Sequence, residues 1–211
     1  MSEASANTAG AQIGTAAPKS GTAKKNEIGD EARKWWQSLQ PAKSGDVANA
    51  NANGGGNRAA LAKLRRSSTW VEAAAERETA LLFRRVGSGN EQRLRRVGVL
   101  AAVLAHVREN ETLKIASSVG PNKGDDATAQ LSQLRLRRLL STSGDDEILT
   151  AFRRLVALKG GTANVGDLAD LIMNWDSERT RMRFAFDYWQ AGEAAPRDNP
   201  KEEMSIEKPT A

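Results

Sequence analysis

The sequence predicts an all-α fold of seven to eight short helices in two small packed helical bundles. Three observations predict it: apolar side chains recur at helical spacing, capping residues precede several of these segments, and alternating strand patterns are almost absent. With 211 residues, the chain is long enough to bury one sizeable core. We therefore expect helices to supply nearly all of the regular structure.

Low-complexity sequence bounds the predicted folded part at both ends. Residues 1–29 consist mainly of Ala, Ser, Thr, Gly, Asn and Lys, and residues 191–211 hold three of the six prolines. Segments of this composition bury too little apolar surface to offset the entropy of an ordered chain, so both are predicted to be disordered tails. The helical domain is expected over residues 30–190.

A polar, weakly periodic stretch over residues 109–131 divides this domain. It is interpreted as a connector between an N-terminal bundle, over about 30–108, and a C-terminal bundle, over about 132–190. Because each bundle is small, the two are expected to pack together as halves of one domain.

Capping and breaking residues delimit the first two helices. Asp30 is a candidate N-cap for the segment EARKWWQSLQ, which Pro41 ends. A low-complexity insert rich in Ala, Asn and Gly follows over residues 47–56 and predicts a loop. Asn57 can then cap the helix RAALAKLRR.

Two longer amphipathic segments come next. Thr69 and Glu72 have the spacing of a capping box ahead of WVEAAAERETALLFRRV, a helix that is predicted to stop at Gly87. Asn90 opens the following helix, EQRLRRVGVLAAVLAHVRE.

The C-terminal helices carry equally clear signals. The acidic residues 145–147 suit the positive end of a helix dipole, and Gly160 and Gly161 close that helix. Asn164 starts VGDLADLIMNW, and Ser177 starts ERTRMRFAFDYW.

Aromatic side chains gather near the two ends of the predicted domain. Their helical spacing favours core packing over stacking on bases. Trp175 is expected to pack with Phe184 and Tyr188 and so to close the C-terminal bundle. Either Trp35 or Trp36, but not both, is expected to anchor the first helix.

The composition excludes most enzyme classes. Without Cys and with one His, the chain cannot form a disulfide scaffold, a thiolate zinc site, a Cys nucleophile or most His-dependent centres. That single His, His106, falls on the polar face of its helix and is expected to be exposed. Since P-loop and GxSxG motifs are also missing, the protein is predicted not to be an enzyme and to need no cofactor.

The sequence shows no sign of a membrane partner. No apolar run approaches the roughly 20 residues of a membrane span. The N-terminus lacks the basic start and apolar stretch of a secretory signal. These features are typical of a soluble protein of a reducing compartment, and a cytoplasmic location is predicted.

Positive charge belongs to the predicted domain. The whole chain has a net charge of +5, whereas residues 30–190 hold 25 basic and 19 acidic side chains, a net charge of +6. Arg outnumbers Lys there by 19 to 6, and Arg is suited to bidentate phosphate contacts and to stacking on bases. A GC-rich genome that prefers Arg codons is the alternative explanation of this ratio.

The arginines recur in clusters near helix ends or on polar faces, which is typical of a phosphate-contacting surface. On a helical wheel over residues 145–159, Arg154 points away from the apolar face and is expected in solvent, while Arg153 lies on its flank. The alternative is a set of solvated faces whose arginines pair with nearby carboxylates. The clusters are Arg65 and Arg66; Arg84 and Arg85; Arg93, Arg95 and Arg96; Arg135, Arg137 and Arg138; Arg153 and Arg154; and Arg179, Arg181 and Arg183.

Two further hypotheses compete with a non-specific phosphate surface. Residues 162–183 resemble a helix-turn-helix whose second helix is basic at its start, which predicts a transcription regulator that reads duplex DNA. The other hypothesis is a structural adaptor whose arginines pair with acidic protein partners.

A resemblance to a known family emerges from the order of six segments. ARKWWQSL, GNRAALAKLRR, ALLFRRV, LSQLRLRRLL, ILTAFRRLVAL and DLADLIMNWDSERTRMRFAFDYW cover most of residues 30–190. This ordered set resembles the CasB-type small subunit of Cascade, the RNA-guided surveillance complex of type I-E CRISPR systems. The chain departs from the family pattern in its N-terminal tail, in the insert over residues 47–56 and in its C-terminal extension.

The resemblance implies a non-catalytic helical protein that enters the complex as two copies. Its partners would be the backbone and large subunits of Cascade, the guide RNA, the target DNA and a second copy of itself. The implied function is to hold the displaced non-target DNA strand on a basic face and so to stabilise the R-loop in antiviral defence.

The nucleic-acid-binding residues implied by the resemblance are arginines of the matched segments. Because the phosphates of a displaced strand present no fixed sequence, spread arginines suffice. Arg84 and Arg85 follow the family pattern too, but can instead hold a helix end or a subunit interface. The implied binding residues are Arg65, Arg66, Arg93, Arg135, Arg138, Arg153, Arg154, Arg179 and Arg181.

Overall fold

The computed structural model describes residues 21–40, 54–86, 89–122 and 126–190. Within these ranges the chain forms ten α-helices, one short 3₁₀-helix and one pair of two-residue parallel strands, so the predicted all-α class is confirmed. The helices are α1 (Gly21–Leu39), α2 (Gly54–Arg66), α3 (Trp70–Ala74), α4 (Arg77–Arg85), α5 (Glu91–Leu104), α6 (Ile115–Val119), α7 (Gln133–Leu140), α8 (Asp145–Leu158), α9 (Val165–Met173) and α10 (Glu178–Trp189). The strands are β1 (Glu109–Asn110) and β2 (Thr162–Ala163), and the 3₁₀-helix spans Asp126–Thr128.

Three of the six predicted N-caps form as local side-chain hydrogen bonds, and a fourth, Ser177, precedes α10 without such a bond. The Thr69 hydroxyl accepts from the backbone N–H of Glu72 at 3.2 Å. The Asn90 and Asn164 side chains accept from N–H groups three residues further on, at 3.1 Å and 3.0 Å. Gly160 and Gly161 adopt φ angles of +66° and +90° after α8, a conformation that favours glycine. These helix ends are confirmed.

The first helix begins earlier than predicted. Residues 21–29, which the composition places in a disordered tail, belong to α1. Gly29 lies against Gly166 of α9, so close that a Cβ there would sit 3.2 Å from the Gly166 Cα. Ile28 packs against the core. Tertiary packing on α9 therefore orders a segment whose own composition does not predict order; residues 1–20 and 191–211 lie outside the described residues.

Two predicted caps of the N-terminal helices are wrong. Asp30 lies inside α1 and pairs with Arg33 one turn further on, at 2.8 Å. Asn57 lies inside α2, which begins at Gly54. In both cases the helix extends past the predicted cap towards the N-terminus. Pro41 and residues 47–53 of the insert lie outside the described residues.

The segment predicted as one helix before Gly87 is divided into α3 and α4. The hydroxyl of the buried Thr79 donates to the Ala73 carbonyl at 2.6 Å. This bond uses a carbonyl oxygen that would otherwise accept from a later N–H of the same helix, and it helps to end α3 after Ala74. The predicted connector over residues 109–131 also contains a helix, α6, whose Ile115 and Val119 are buried. These two features raise the helix number above the expected seven to eight.

A continuous cluster of buried apolar side chains runs through helices from both halves of the sequence. Trp175 packs edge-on against two phenylalanine rings. Its ring centre lies 4.9 Å from that of Phe152 and 5.7 Å from that of Phe184. The buried Tyr188 donates its hydroxyl to the Leu131 carbonyl at 2.6 Å. Trp175, Phe184 and Tyr188 therefore pack in the core, as predicted. For Phe186 and Trp189 the prediction of core packing is wrong, because both side chains are exposed on α10, at 63% and 48%.

The prediction that only one of the two N-terminal tryptophans is buried is wrong. Trp35 is 1% exposed and Trp36 is 7% exposed. The indole N–H of Trp35 donates to the Glu78 carbonyl at 2.9 Å, and that of Trp36 donates to the Val107 carbonyl at 3.1 Å. Both fit because α1 contacts other elements on more than one side, so its buried face is wider than one helical stripe.

Across these described ranges, no helix combines the length and the apolar composition that crossing a bilayer requires.

Candidate nucleic-acid interface

Two neighbouring arginines of α8 have different environments. Arg153 is half-buried and donates from Nη1 to the Ser67 carbonyl at 2.6 Å and from Nη2 to the Leu64 carbonyl at 2.9 Å. Burial lowers the pKa of Arg153, and the Glu72 carboxylate opposes that shift. Arg154 is exposed and makes no ion pair with any side chain in the described ranges. Arg153 therefore holds the end of α2, whereas Arg154 faces solvent.

The arginine pair at the end of α2 is exposed but partly engaged. Arg65 donates from Nε to the Ala105 carbonyl at the end of α5, at 2.6 Å. Arg66 donates from Nε to the Ala62 carbonyl in its own helix, at 3.1 Å. Both side chains bond through Nε, so their terminal nitrogens remain available to an external anion.

His106 lies beside this arginine pair and is not exposed as predicted. Its ring is half-buried, and Nδ1 lies 3.0 Å from the Ala102 carbonyl. Burial lowers the pKa of His106, and the positive charges of Arg153 and Arg65 lower it further, against the effect of the Ala102 hydrogen bond. The helical wheel places His106 on the polar face of its helix, but the tertiary structure half-buries the ring and brings Arg65 of α2 and Arg153 of α8 near it.

A groove of about 880 Å³ lies between α7 and α8. Arg135 and Arg138 of α7 and Arg154 of α8 line it together with aliphatic side chains. All three arginines are exposed, and no salt bridge joins them to a carboxylate of the described chain. The structure thus brings three of the nine predicted binding residues to one groove.

Two carboxylates also line this groove, at the start of α8. Asp146 accepts from the backbone N–H of Trp70 at 2.8 Å. Glu147 accepts from the backbone N–H of Ser143 at 3.4 Å. Backbone groups therefore engage both carboxylates, and the positive end of the α8 dipole stabilises their charge. They do not neutralise the three arginines by direct pairing.

Arg93 and Arg181 are half-buried and also hold helix ends. Arg93 donates from Nη2 to the Val86 carbonyl at 2.6 Å, just after α4. Arg181 donates from Nη1 to the Leu140 carbonyl, the last residue of α7, at 3.3 Å. Arg179 is exposed at the start of α10. Of these three arginines, only Arg179 is exposed.

The remaining arginines of the 93–96 cluster pair with carboxylates of the chain. Arg95 pairs with Glu91 and lies 5.3 Å from the centre of the Trp70 ring. Arg96 is only 5% exposed, pairs with Asp176 and lies 3.4 Å from Asp145. A cluster in the sequence is therefore not a cluster on the surface.

Arginine capping of helix C-termini is the feature that sequence reasoning missed. Arg65, Arg93, Arg153 and Arg181 each donate to a carbonyl at the end of another helix. The last carbonyls of a helix lack partners within it, and the dipole there favours a positive charge. A signal was present, since α2, α5 and α7 end without a glycine at the cap.

The fold and the site define a class of protein: a small all-α protein with exposed arginines around a groove. Within the described ranges, no group of side chains is arranged to hold a metal ion. Residues 60–189 match the family model of the CRISPR-associated protein Cse2, and the chain belongs to this family. It is therefore a small subunit of the type I-E Cascade complex, as the order of its segments predicted. The match extends from α2 to the end of α10 and leaves α1 outside.

Comparison with curated proteins and with solved structures returned no match. The family assignment favours a Cascade subunit over the transcription regulator that residues 162–183 suggested.

Proposed function

We propose that this Cascade subunit holds the displaced non-target DNA strand on its exposed arginines and thereby stabilises the R-loop. It does so by electrostatic contact alone and catalyses no reaction. Two copies would act in one complex, in the cytoplasm, beside the guide RNA paired with the target DNA and next to the backbone and large subunits.

The energetics of R-loop formation give such contacts their effect. The RNA–DNA heteroduplex is about as stable as the DNA duplex it replaces, so the exchange is nearly balanced. A few contacts to the backbone of the displaced strand then decide whether the open state persists. Each neutralised phosphate also releases counterions, which makes the contribution dependent on salt.

The observation that carries the proposal is the set of exposed guanidinium groups at the α7–α8 groove. Arg135, Arg138 and Arg154 have no ion-pair partner among the described carboxylates, although the described part of the chain contains many acidic side chains. Arg65 and Arg66 are further exposed arginines, at the end of α2, to which Arg153 ties α8.

Charge reversal at two groove arginines tests the proposal. In reconstituted Cascade, Arg135→Glu combined with Arg154→Glu is expected to shorten the lifetime of the R-loop. It should also lower the salt slope of single-strand binding by about 1.4, which corresponds to two lost phosphate contacts at about 0.7 each. Arg77→Glu combined with Arg84→Glu is the control with the same change in charge, because both arginines are exposed on α4 and neither lines the groove.

An unchanged R-loop lifetime in the double variant, together with a normal amount of assembled complex, would refute the assignment of these arginines. Loss of complex assembly instead of R-loop stability would favour the adaptor hypothesis, in which the arginines pair with acidic partner proteins.

A further inference from the structure

The α7–α8 groove has different chemistry at its two ends and along its floor. The turn over residues 141–144 joins the helices at one end, where Glu147 and Thr142 line the groove. Arg154 lies seven residues beyond Glu147 along α8, which corresponds to about 10 Å of helix. Aliphatic side chains lie between them, with Ala151 in the middle. Arg138 lies in the last turn of α7, directly before the same turn. The groove therefore has Glu147 and Arg138 at its turn end, an apolar floor, and Arg154 at its far end.

We propose that this groove receives one unstacked base of the bound single strand, while the flanking phosphates lie on Arg135 and Arg154. The inference rests on the proposed function and adds a base-binding site to what is otherwise a surface for phosphates alone. The ligand is a nucleotide within a DNA strand, not a free nucleotide.

The shape and charge of the groove fit this occupant. Its volume of about 880 Å³ falls within the roughly 300–1,000 Å³ of pockets that take small ligands. A nucleotide has a flat, largely apolar ring between an anionic phosphate and a hydrogen-bonding edge. Arg154 at the far end, the apolar floor and Glu147 at the turn end complement these three parts in the same order.

The Glu147 carboxylate also predicts which bases the groove prefers. Glu147 receives a single long hydrogen bond, from Ser143 N–H at 3.4 Å, so its carboxylate can accept another. Cytosine presents an amino group on its pairing edge, whereas thymine presents carbonyl oxygens and a ring N–H flanked by them. A cytosine is therefore expected to bind the groove more tightly than a thymine.

Oligonucleotides with equal numbers of phosphates separate the base site from the phosphate surface. The full chain and the assembled complex are titrated with an oligo-dC, an oligo-dT and an abasic strand of the same length, at two salt concentrations. Affinity is expected to fall in that order, with about fivefold between oligo-dC and the abasic strand, which corresponds to the burial of about 40 Å² of apolar base surface at about 25 cal/mol per Å².

Two variants locate the effect in the groove. Ala151→Phe fills the floor without changing charge, and it is expected to reduce the advantage of oligo-dC over the abasic strand towards one. Ala80→Phe, at an exposed position of α4, is its control. Should Ala151→Phe fail to fold, Ala157→Phe fills the same groove from an exposed position.

Removal of the Glu147 carboxylate tests the base preference. Glu147→Ala is expected to abolish the difference between oligo-dC and oligo-dT and to leave the salt slope unchanged. Glu178→Ala removes an exposed carboxylate from the first turn of a different helix and is expected to keep the difference.

The outcomes distinguish this inference from the function on which it rests. Equal affinity for all three strands with a steep salt dependence overturns the base site and leaves the phosphate surface in place. Salt-independent binding, or no binding to any strand by the chain and the complex, overturns both.

Discussion

Replacement of Arg153 by alanine is expected to destabilise the fold without weakening the binding of single-stranded DNA. Arg153 donates two hydrogen bonds, at 2.6 Å and 2.9 Å, to carbonyls at the end of α2. Hydrogen bonds from a charged donor contribute about 1.5–3 kcal/mol each when fully buried. Because Arg153 is only half-buried, water replaces part of this, and we expect a total loss of about 2 kcal/mol.

The size of this loss is measurable by thermal unfolding. For a domain of this size, 1 kcal/mol shifts Tm by about 2–4 °C, so Arg153→Ala is expected to lower Tm by about 4–8 °C. Arg153→Lys keeps the positive charge but cannot reach both carbonyls with a planar fork. It is expected to have an intermediate Tm and the same DNA affinity as the unmodified chain.

The adjacent Arg154 is the matched comparison, since it differs from Arg153 by one position on the same helix. Arg154→Ala should change the free energy of unfolding by no more than about 0.5 kcal/mol, as is usual for an exposed side chain. It should, however, reduce the salt slope of single-strand binding by about 0.7, one phosphate contact. A reversed result, with Arg153→Ala losing DNA affinity at unchanged Tm, would refute the division between capping and binding arginines.

Two further predictions concern stability. Gly98→Ala is expected to lower the free energy of unfolding by about 1–3 kcal/mol, because the new Cβ would lie 2.7 Å from the Trp70 carbonyl oxygen; an unchanged urea midpoint would contradict this. Burial and the charges of Arg153 and Arg65 lower the pKa of His106 below its ordinary 6.5, so the unfolded chain takes up this proton at higher pH than the folded chain. Stability should therefore fall as pH drops from 7.5 to 5.5, and chemical denaturation of His106→Gln should show a smaller fall.

Several helix ends could be predicted from local chemistry, although the same reasoning misplaced the starts of α1 and α2. Thr69, Asn90 and Asn164 accept hydrogen bonds from residues three positions away, and Gly160 and Gly161 supply a conformation that other residues rarely adopt. In each of these caps the side chain and the backbone N–H that it binds lie within a few residues of each other, so a short stretch of sequence contains both hydrogen-bond partners.

The wrong predictions about α1 concern features that depend on contacts between segments distant in the sequence. The start of α1 depends on the approach of Gly29 to Gly166, and the burial of both Trp35 and Trp36 depends on carbonyls of α4 and of the segment after α5. Composition and periodicity describe one segment at a time, so they do not contain this information.

The arginines of the candidate site also differ in how far the sequence alone predicts their environment. A helical wheel was enough to predict that Arg154 faces solvent, because that depends only on the phase of its own helix. It could not predict that Arg153 holds the end of α2, since its two acceptors lie 86 and 89 residues away in the chain.

The sequence by itself determined the helical class, the positive charge of the domain, most helix ends and, through the order of its segments, the Cse2 family. Only the tertiary structure decided which arginines are used as caps and which line the α7–α8 groove. The physical reason is that the unpartnered carbonyls at the end of one helix take their donors from whichever helix packs beside it, and that neighbour is set by the fold.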